Sequence, residues 1–380
     1  MSRSLEILDA LVAFETVSRR PNAELIGYLC GLLDDHGIAY ELVGEADGSR
    51  VNLFASVGPA ERPGVVLSGH TDVVPVEGQD WQRAPFRLTA EAGRLYGRGT
   101  TDMKGFLACA MDAALTAAGR DLKMPLHLAF SYDEEIGCVG VRHLLDHLAD
   151  KPVKPRFCIV GEPTELAIAT GHKGKTALEA DCRGKEVHSA LAPQGINALH
   201  LAADFIQLLR RTQAEIAESG ARDGDYDVPY STLHAGVAKG GTALNIVPNR
   251  CLIAFEIRNL KSDDPQAILA KLERGTAEIL KSYPAEADIR ITETNSYPGL
   301  DTPPDAEVVA FIKALTGANS TNKVAFGTEA GLFDRRLGVP CVVCGPGSMA
   351  QGHKPDEYIA RSQLAACEAM LARLLERLCA

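Results

Sequence analysis

Val65-Val66-Leu67-Ser68-Gly69-His70-Thr71-Asp72 reads as a solidly apolar strand that ends in an imidazole and a carboxylate. A run without apolar/polar alternation belongs in a sheet covered on both faces, the habit of parallel sheets in α/β layers. The pattern recurs along the chain. Residues 126–132 form an apolar run before Asp133-Glu134-Glu135, residues 157–160 precede Gly161-Glu162, and Cys341-Val342-Val343-Cys344 leads through Gly345-Pro346-Gly347 to His353. Shorter β-like runs stand at 39–43 and 51–57. Helical spacing fills the gaps, at 22–37 with Gly37 as the stop, at 139–148, at 305–315 and from Ser362 onward. Ser4 is placed to cap a first helix carrying Leu5, Leu8, Leu11 and Val12. The expected fold class is α/β, a mixed, largely parallel sheet with flanking helices.

Residues 174–296 have a different rhythm. Strand-like runs at 175–181, 231–237, 251–257 and 287–292 alternate with two long amphipathic helices, one at 198–218 and one opening at Asp264-Pro265. A capping side chain followed by proline marks a helix start. Two helices over a small antiparallel sheet is the expected α+β insert. The expected division is therefore 1–173 with 297–380 as one domain and 174–296 as the second, in keeping with a chain of 380 residues, long for a single core.

Four short segments thus deliver His70, Glu134 with Glu135, Glu162 and His353 to the C-terminal ends of strands. That edge is where open α/β sheets bind ligands. A fifth carboxylate sits in Gly97-Arg98-Gly99-Thr100-Thr101-Asp102-Met103-Lys104-Gly105, a glycine-rich turn that leads into an apolar helical run. Alone, Asp102 would be an ordinary turn or cap residue. With two histidines and several carboxylates converging, it becomes their common centre. Imidazole and carboxylate without thiolate suit Zn²⁺, Co²⁺ or Mn²⁺. More carboxylates than histidines suggests two ions sharing one carboxylate, roughly 3.5–4 Å apart in such sites. Asp72 is placed to orient the His70 ring.

Composition narrows the classes. A net charge of -11 without a basic stripe argues against a nucleic-acid partner. Ten cysteines lie mostly within apolar runs, as expected of reduced thiols in the cytoplasm. Cys341 and Cys344 spell C-x-x-C, but in an extended run that spacing sends them to opposite faces. Glu6, Asp9 and Glu15 interrupt the first apolar stretch, unlike a secretory signal, and no run reaches the length of a membrane span. His143 and His147 stand four apart on a helix; without a Glu after the first they read as a solvated face. His188, in Glu186-Val187-His188-Ser189, falls between a strand and a helix of the insert, free to donate a hydrogen bond.

These segments, in this order and spacing, resemble the co-catalytic zinc aminoacylase and succinyl-diaminopimelate desuccinylase superfamily over the whole chain. Within it the acetylornithine deacetylase family is most similar, on His172-Lys173-Gly174, Gly327-Thr328-Glu329-Ala330 and His353-Lys354-Pro355-Asp356-Glu357-Tyr358. Gly352 departs from the alanine that relatives often place before the metal histidine. The resemblance implies His70 and Glu162 on one metal ion, Glu135 and His353 on the other, and Asp102 bridging, followed by a cis peptide. It implies Asp72 as the partner of His70 and Glu134 as the general base. His188 would reach the oxyanion site of a partner subunit, so a homodimer formed through the inserted lid/dimerisation domain is implied, and Asn245 and Arg258 match substrate-binding positions. The expected cofactor is a pair of divalent ions, Zn²⁺ before Co²⁺ or Mn²⁺. The expected reaction is removal of acetate from N²-acetyl-L-ornithine, a small-molecule N-acyl amino acid, in arginine biosynthesis. A desuccinylase, aminoacylase or dipeptidase would use the same chemistry. A non-catalytic relative would have lost a ligand or the Glu134-Glu135 pair, and neither is lost.

Overall fold

The computed structural model describes residues 2–380. Its main sheet runs in the spatial order Ala39–Gly44, Val51–Val57, Leu126–Ser131, Val65–His70, Phe157–Pro163 and Cys341–Gly345, with short strands beyond. The last four of these are mutually parallel. Val51–Val57 pairs antiparallel with Leu126–Ser131, and Ala39–Gly44 antiparallel with Val51–Val57. The sheet is therefore mixed and largely parallel. Every residue of Val65–His70, Phe157–Pro163 and Cys341–Gly345 is buried.

The absence of alternation has its cause in the helices. Arg3–Ala13, Ala23–Asp35, Gly105–Ala117, Glu307–Thr316 and Arg361–Cys379 share one core with Val65, Leu67, Leu128 and Ile159. Val141–Ala149 and Ala330–Leu337 pack against other parts of the sheet. Contact is close enough at Gly161 that an added Cβ would lie 2.0 Å from the Phe106 ring. Cys341 turns towards Val339 and Cys344 towards Met370, so the C-x-x-C cysteines diverge. Among the described residues no helix is long and apolar enough to cross a membrane.

One local expectation is corrected, and one helix was not expected from the sequence. Ser4 is not a cap: the first helix begins after Ser2, and the buried Ser4 hydroxyl instead bonds Glu368 of the last helix. The helix Ala330–Leu337 carries no long apolar period. It starts where Thr328 Oγ1 accepts from Ala330 N (3.1 Å) and stops at Gly338, whose φ of 65° is left-handed. Burial of Ala330, Gly331 and Phe333 holds it.

A second compact unit comprises His172–Gly299 and Val324–Gly327. Its sheet is antiparallel throughout, in the order Thr232–Gly240, Arg250–Asn259, Gly174–Arg183 and Asp288–Tyr297. With the helices Ala198–Ser219 and Pro265–Leu280 the chain order is βαββαβ. Burial alternates along Gly174–Arg183, as one covered face requires. Asp264 caps the second helix by accepting from Gln266 N (2.9 Å). The borders differ from those expected from the sequence by two or three residues, and 324–327 joins this unit because Gly327 lies against the Tyr297 ring.

One half-buried imidazole, His127, and one buried one, His172, make a test of the fold. Burial pushes both His127, stacked on Phe54 at 5.3 Å, and His172 down to about 4. A folded-state value below the unfolded one favours the neutral ring, so stability is present above pH 6.5 and is lost as pH falls towards 4. The expected loss between pH 7 and pH 5 is about 2 kcal/mol per histidine. Thermal unfolding at the two pH values should show it, and His127→Asn should flatten the dependence.

Candidate metal centre

The four parallel strands are neighbours, so the side chains at their C-terminal ends meet. His70 ends Val65–His70, Glu162 lies near the end of Phe157–Pro163, and Glu134 and Glu135 come just after Leu126–Ser131. His353 lies beyond Cys341–Gly345, and Asp102 arrives on the loop before Gly105–Ala117. His70, Asp102 and Glu162 form one group, and Asp102, Glu135 and His353 a second, the ligand atoms of each lying within 4.8 Å of one another. Asp102 belongs to both. Its Oδ1 is 3.1 Å from His70 Nε2 and its Oδ2 is 3.1 Å from His353 Nε2. His353 Nε2 is also 3.1 Å from Glu135, and His70 Nε2 is 3.6 Å from Glu162.

Charge in this cluster is unbalanced. Burial pushes the Glu135 carboxyl up to about 7, aided by the Asp102 charge, and the same two causes raise Glu162. Burial would raise Asp102 as well, but the His353 and His70 imidazoles hold it below the ordinary range. Burial would lower His70, yet its hydrogen bonds to Asp102 and Asp72 raise it. A buried set of carboxylates that repel one another is relieved by cations placed among them. The donor set, imidazole nitrogen and carboxylate oxygen, suits borderline divalent ions. The residues therefore fit two metal ions sharing Asp102.

The supports were only partly legible in the sequence. His70 Nδ1 is 2.8 Å from the backbone carbonyl of Asp72 and 3.5 Å from its carboxylate, which leaves Nε2 for the cluster. The Asp72 carboxylate mainly takes other donors: Ser18 Oγ (2.7 Å), Glu134 N (3.0 Å) and Glu135 N (3.3 Å). It aims the Glu134-Glu135 turn as well as the imidazole. That turn begins at Asp133, left-handed at φ 53° and locked by Arg19 N (2.6 Å) and Arg50. Glu134 is buried beside the cluster, its Oε1 3.2 Å from Cys138 Sγ, and burial pushes it up to about 8.

Glu357 and Glu329 stand in motifs that carry the resemblance, but the sequence assigned neither of them a role. The Glu357 carboxylate accepts from the backbone N–H of Gly99 (2.9 Å), Thr101 (2.9 Å) and Asp102 (3.1 Å), and from Arg98 Nη1 (2.8 Å). It holds the Asp102 loop, where Gly99 adopts φ 83° and the Asp102–Met103 peptide is cis, as the resemblance implied. Lys104, fully buried, donates to the carbonyls of Leu11 (2.9 Å) and Phe14 (2.8 Å) from the same loop. Glu329 joins the ends of two strands through Ser68 (3.2 Å) and Ser131. Replacing Glu357 by Ala strands a buried guanidinium and frees three amides. The expected loss is about 3–5 kcal/mol of folding stability, read from denaturant unfolding.

His188, Asn245 and Arg258 belong to the second unit. His188 is exposed; its Nδ1 accepts from Ala190 N (3.1 Å), so the neutral ring carries its proton on Nε2. Asn245 is tied to it by Ser189 N to Asn245 O (3.0 Å). Arg258 binds Glu256 (3.0 Å) and Tyr297 (3.3 Å). His143 is exposed and His147 pairs with Glu41 at 2.7 Å, a surface arrangement.

A model of peptidase family M20/M25/M40 matches residues 66–377. An acetylornithine deacetylase of Myxococcus xanthus is 38% identical over 98% of this chain and 96% of its own length. An acetylornithine deacetylase of Shigella sonnei is 32% identical over 99% and 97%. Among solved structures, an M20 family metallo-carboxypeptidase from Sulfolobus solfataricus superposes with a TM-score of 0.82 at 20% identity, covering 100% and 99% of the two chains. A dinuclear metal binding M20 peptidase from Bacillus subtilis gives 0.70 at 15% identity, covering 98% and 96%. With a family model spanning the parallel strands and every ligand of the cluster, the chain belongs to peptidase family M20/M25/M40.

Proposed function

We propose that this protein hydrolyses N²-acetyl-L-ornithine to L-ornithine and acetate, a step of arginine biosynthesis. The observation that carries the chemistry is the pair of ligand groups sharing Asp102, with Glu134 buried beside them. The substrate rests on whole-chain similarity to proteins named acetylornithine deacetylase.

His70, Asp102 and Glu162 would hold one divalent ion and Asp102, Glu135 and His353 the other, Zn²⁺ being the expected metal. Such a pair supplies an acidified water and a polarised acyl carbonyl. Glu134 takes the proton of the attacking water on its carboxylate and returns it to the departing amide nitrogen. Asp72 keeps the Glu134-Glu135 turn and the His70 ring in place through the hydrogen bonds described above. His188 of the partner subunit donates from Nε2–H to the negative charge that develops on the acyl oxygen. The Arg258 fork binds the substrate carboxylate, with Asn245 as a further polar contact.

The same reading makes the protein a cytoplasmic homodimer. All ten cysteines are free and nine are buried, in keeping with a reducing compartment. Exposed Leu191, Val237, Leu244 and Ile246 on the inserted unit support an interface there.

Amine release after chelator stripping and reloading with Zn²⁺ or Co²⁺ tests the substrate. N²-acetyl-L-ornithine, N-succinyl-diaminopimelate and a simple dipeptide form the panel. Preference for acetylornithine is expected. Preference for another member would keep the centre and replace the substrate by that of a desuccinylase or dipeptidase.

A further inference from the structure

Of the two histidines in the cluster, only His70 is held through its ring. Its Nδ1 meets the Asp72 carbonyl and its side chain is fully enclosed. His353 is different. Its side chain is 46% exposed, its backbone is left-handed at φ 59°, and among the described residues its Nδ1 has no hydrogen-bond partner. A histidine on a surface loop, in a left-handed conformation that is unfavourable for a non-glycine residue, needs a support outside its ring.

That support comes from the loop after Pro75. Gln79 Nε2 donates to the carbonyl of His353 (3.0 Å). The amide cannot be turned round, because its Oε1 accepts from both Trp81 Nε1 (3.0 Å) and Arg98 Nη2. Two N–H donors on one side assign the oxygen there, and so assign the NH₂ to His353. Arg98 itself is buried and committed: its Nη1 binds Glu357 (2.8 Å), and its guanidinium lies 4.9 Å from the centre of the Trp81 ring. The two loops are joined again beyond this point, where Asp356 accepts from Gln82 N (3.2 Å) and Arg83 N (3.1 Å). Glu357 carries the same network to the amides of the Asp102 loop. One connected set of side chains therefore grips the backbone amide of Asp102 at one end and the backbone of the exposed histidine at the other.

We propose that Gln79 is a positioning residue for the metal ion assigned to Asp102, Glu135 and His353, setting its affinity by holding the His353 carbonyl while Arg98 and Trp81 hold Gln79. This rests on the dimetal reading above. The partner of a metal ligand typically changes metal affinity 10–100-fold when removed. Gln79 acts on the backbone, one step further out, and the expected change is about 10-fold in the zinc affinity of that one site.

The test is a zinc titration of the stripped protein against a chromophoric chelator, for wild type, Gln79→Ala and Gln79→Glu. A glutamate keeps the acceptor for Trp81 and Arg98, and so keeps the loop, but turns an oxygen on the His353 carbonyl where a donor stood. Both variants should lose about 10-fold in one zinc affinity and none in the other, with apo-protein unfolding unchanged in Gln79→Glu, which keeps the acceptor for Arg98. If Gln79→Glu binds both ions as tightly as wild type, Gln79 serves only to hold its loop and the proposal is overturned. If the wild type itself binds fewer than two zinc ions, the dimetal reading fails instead, and the proposal falls with it.

Discussion

Replacing Glu134 by Gln is expected to lower kcat by about 10²–10⁴-fold with both metal sites still filled. Glu134 is absent from both ligand groups, and its carboxylate accepts a hydrogen bond from Cys138 Sγ (3.2 Å). The amide of Gln is nearly isosteric and its backbone N–H can still donate to Asp72, so the turn should persist. The variant loses a group able to accept the water's proton and return it to nitrogen. At 1.36 kcal/mol per decade, the loss amounts to about 3–5 kcal/mol of transition-state stabilisation. KM should change little, and the acidic limb of the kcat/KM profile that reports this carboxylate should vanish from the residual activity. Zinc content measured on the same preparation decides the assignment. Parallel loss of metal would make Glu134 a ligand and not the base.

Asp102→Ala is expected to abolish turnover by a different route. Both oxygens of Asp102 are in use, one towards each imidazole, so a single substitution removes a donor from each group. Zinc bound per chain should fall at both sites, whereas Glu162→Ala should weaken only the site that includes His70. The expected loss for Asp102→Ala is on the order of 10⁴-fold in kcat/KM, several kcal/mol of charge stabilisation. Retention of one tightly bound ion in Asp102→Ala would show that the carboxylate does not bridge.

How much of this was legible before the tertiary structure depends on the range of the interaction. The solid apolar runs declared a covered sheet, because a strand with no polar face has no side to give to water. Asp264-Pro265 declared a helix start, because both the cap and the fixed φ act within one turn. Ser4 misled for the same reason: its local chemistry suits a cap, but a carboxylate 364 residues away takes the hydroxyl. The helix Ala330–Leu337 was silent because it depends on burial of a few side chains and not on period.

The site divides in the same way. Sequence alone placed the candidate imidazoles and carboxylates at strand ends, since apolar runs fix where strands stop and hold the next residues near the sheet edge. Counting carboxylates against histidines suggested two ions sharing one carboxylate, and the family resemblance implied that Asp102 is the one shared. Only the tertiary structure decided that Asp72 grips the Glu134-Glu135 turn, that Glu357 reaches 255 residues back to the amide of Asp102, and that Gln79 holds the carbonyl of His353. Those bonds leave no mark on spacing or hydropathy. A carboxylate or an amide fits many surroundings, and which backbone groups it meets is set by the packing of loops that are distant in the chain.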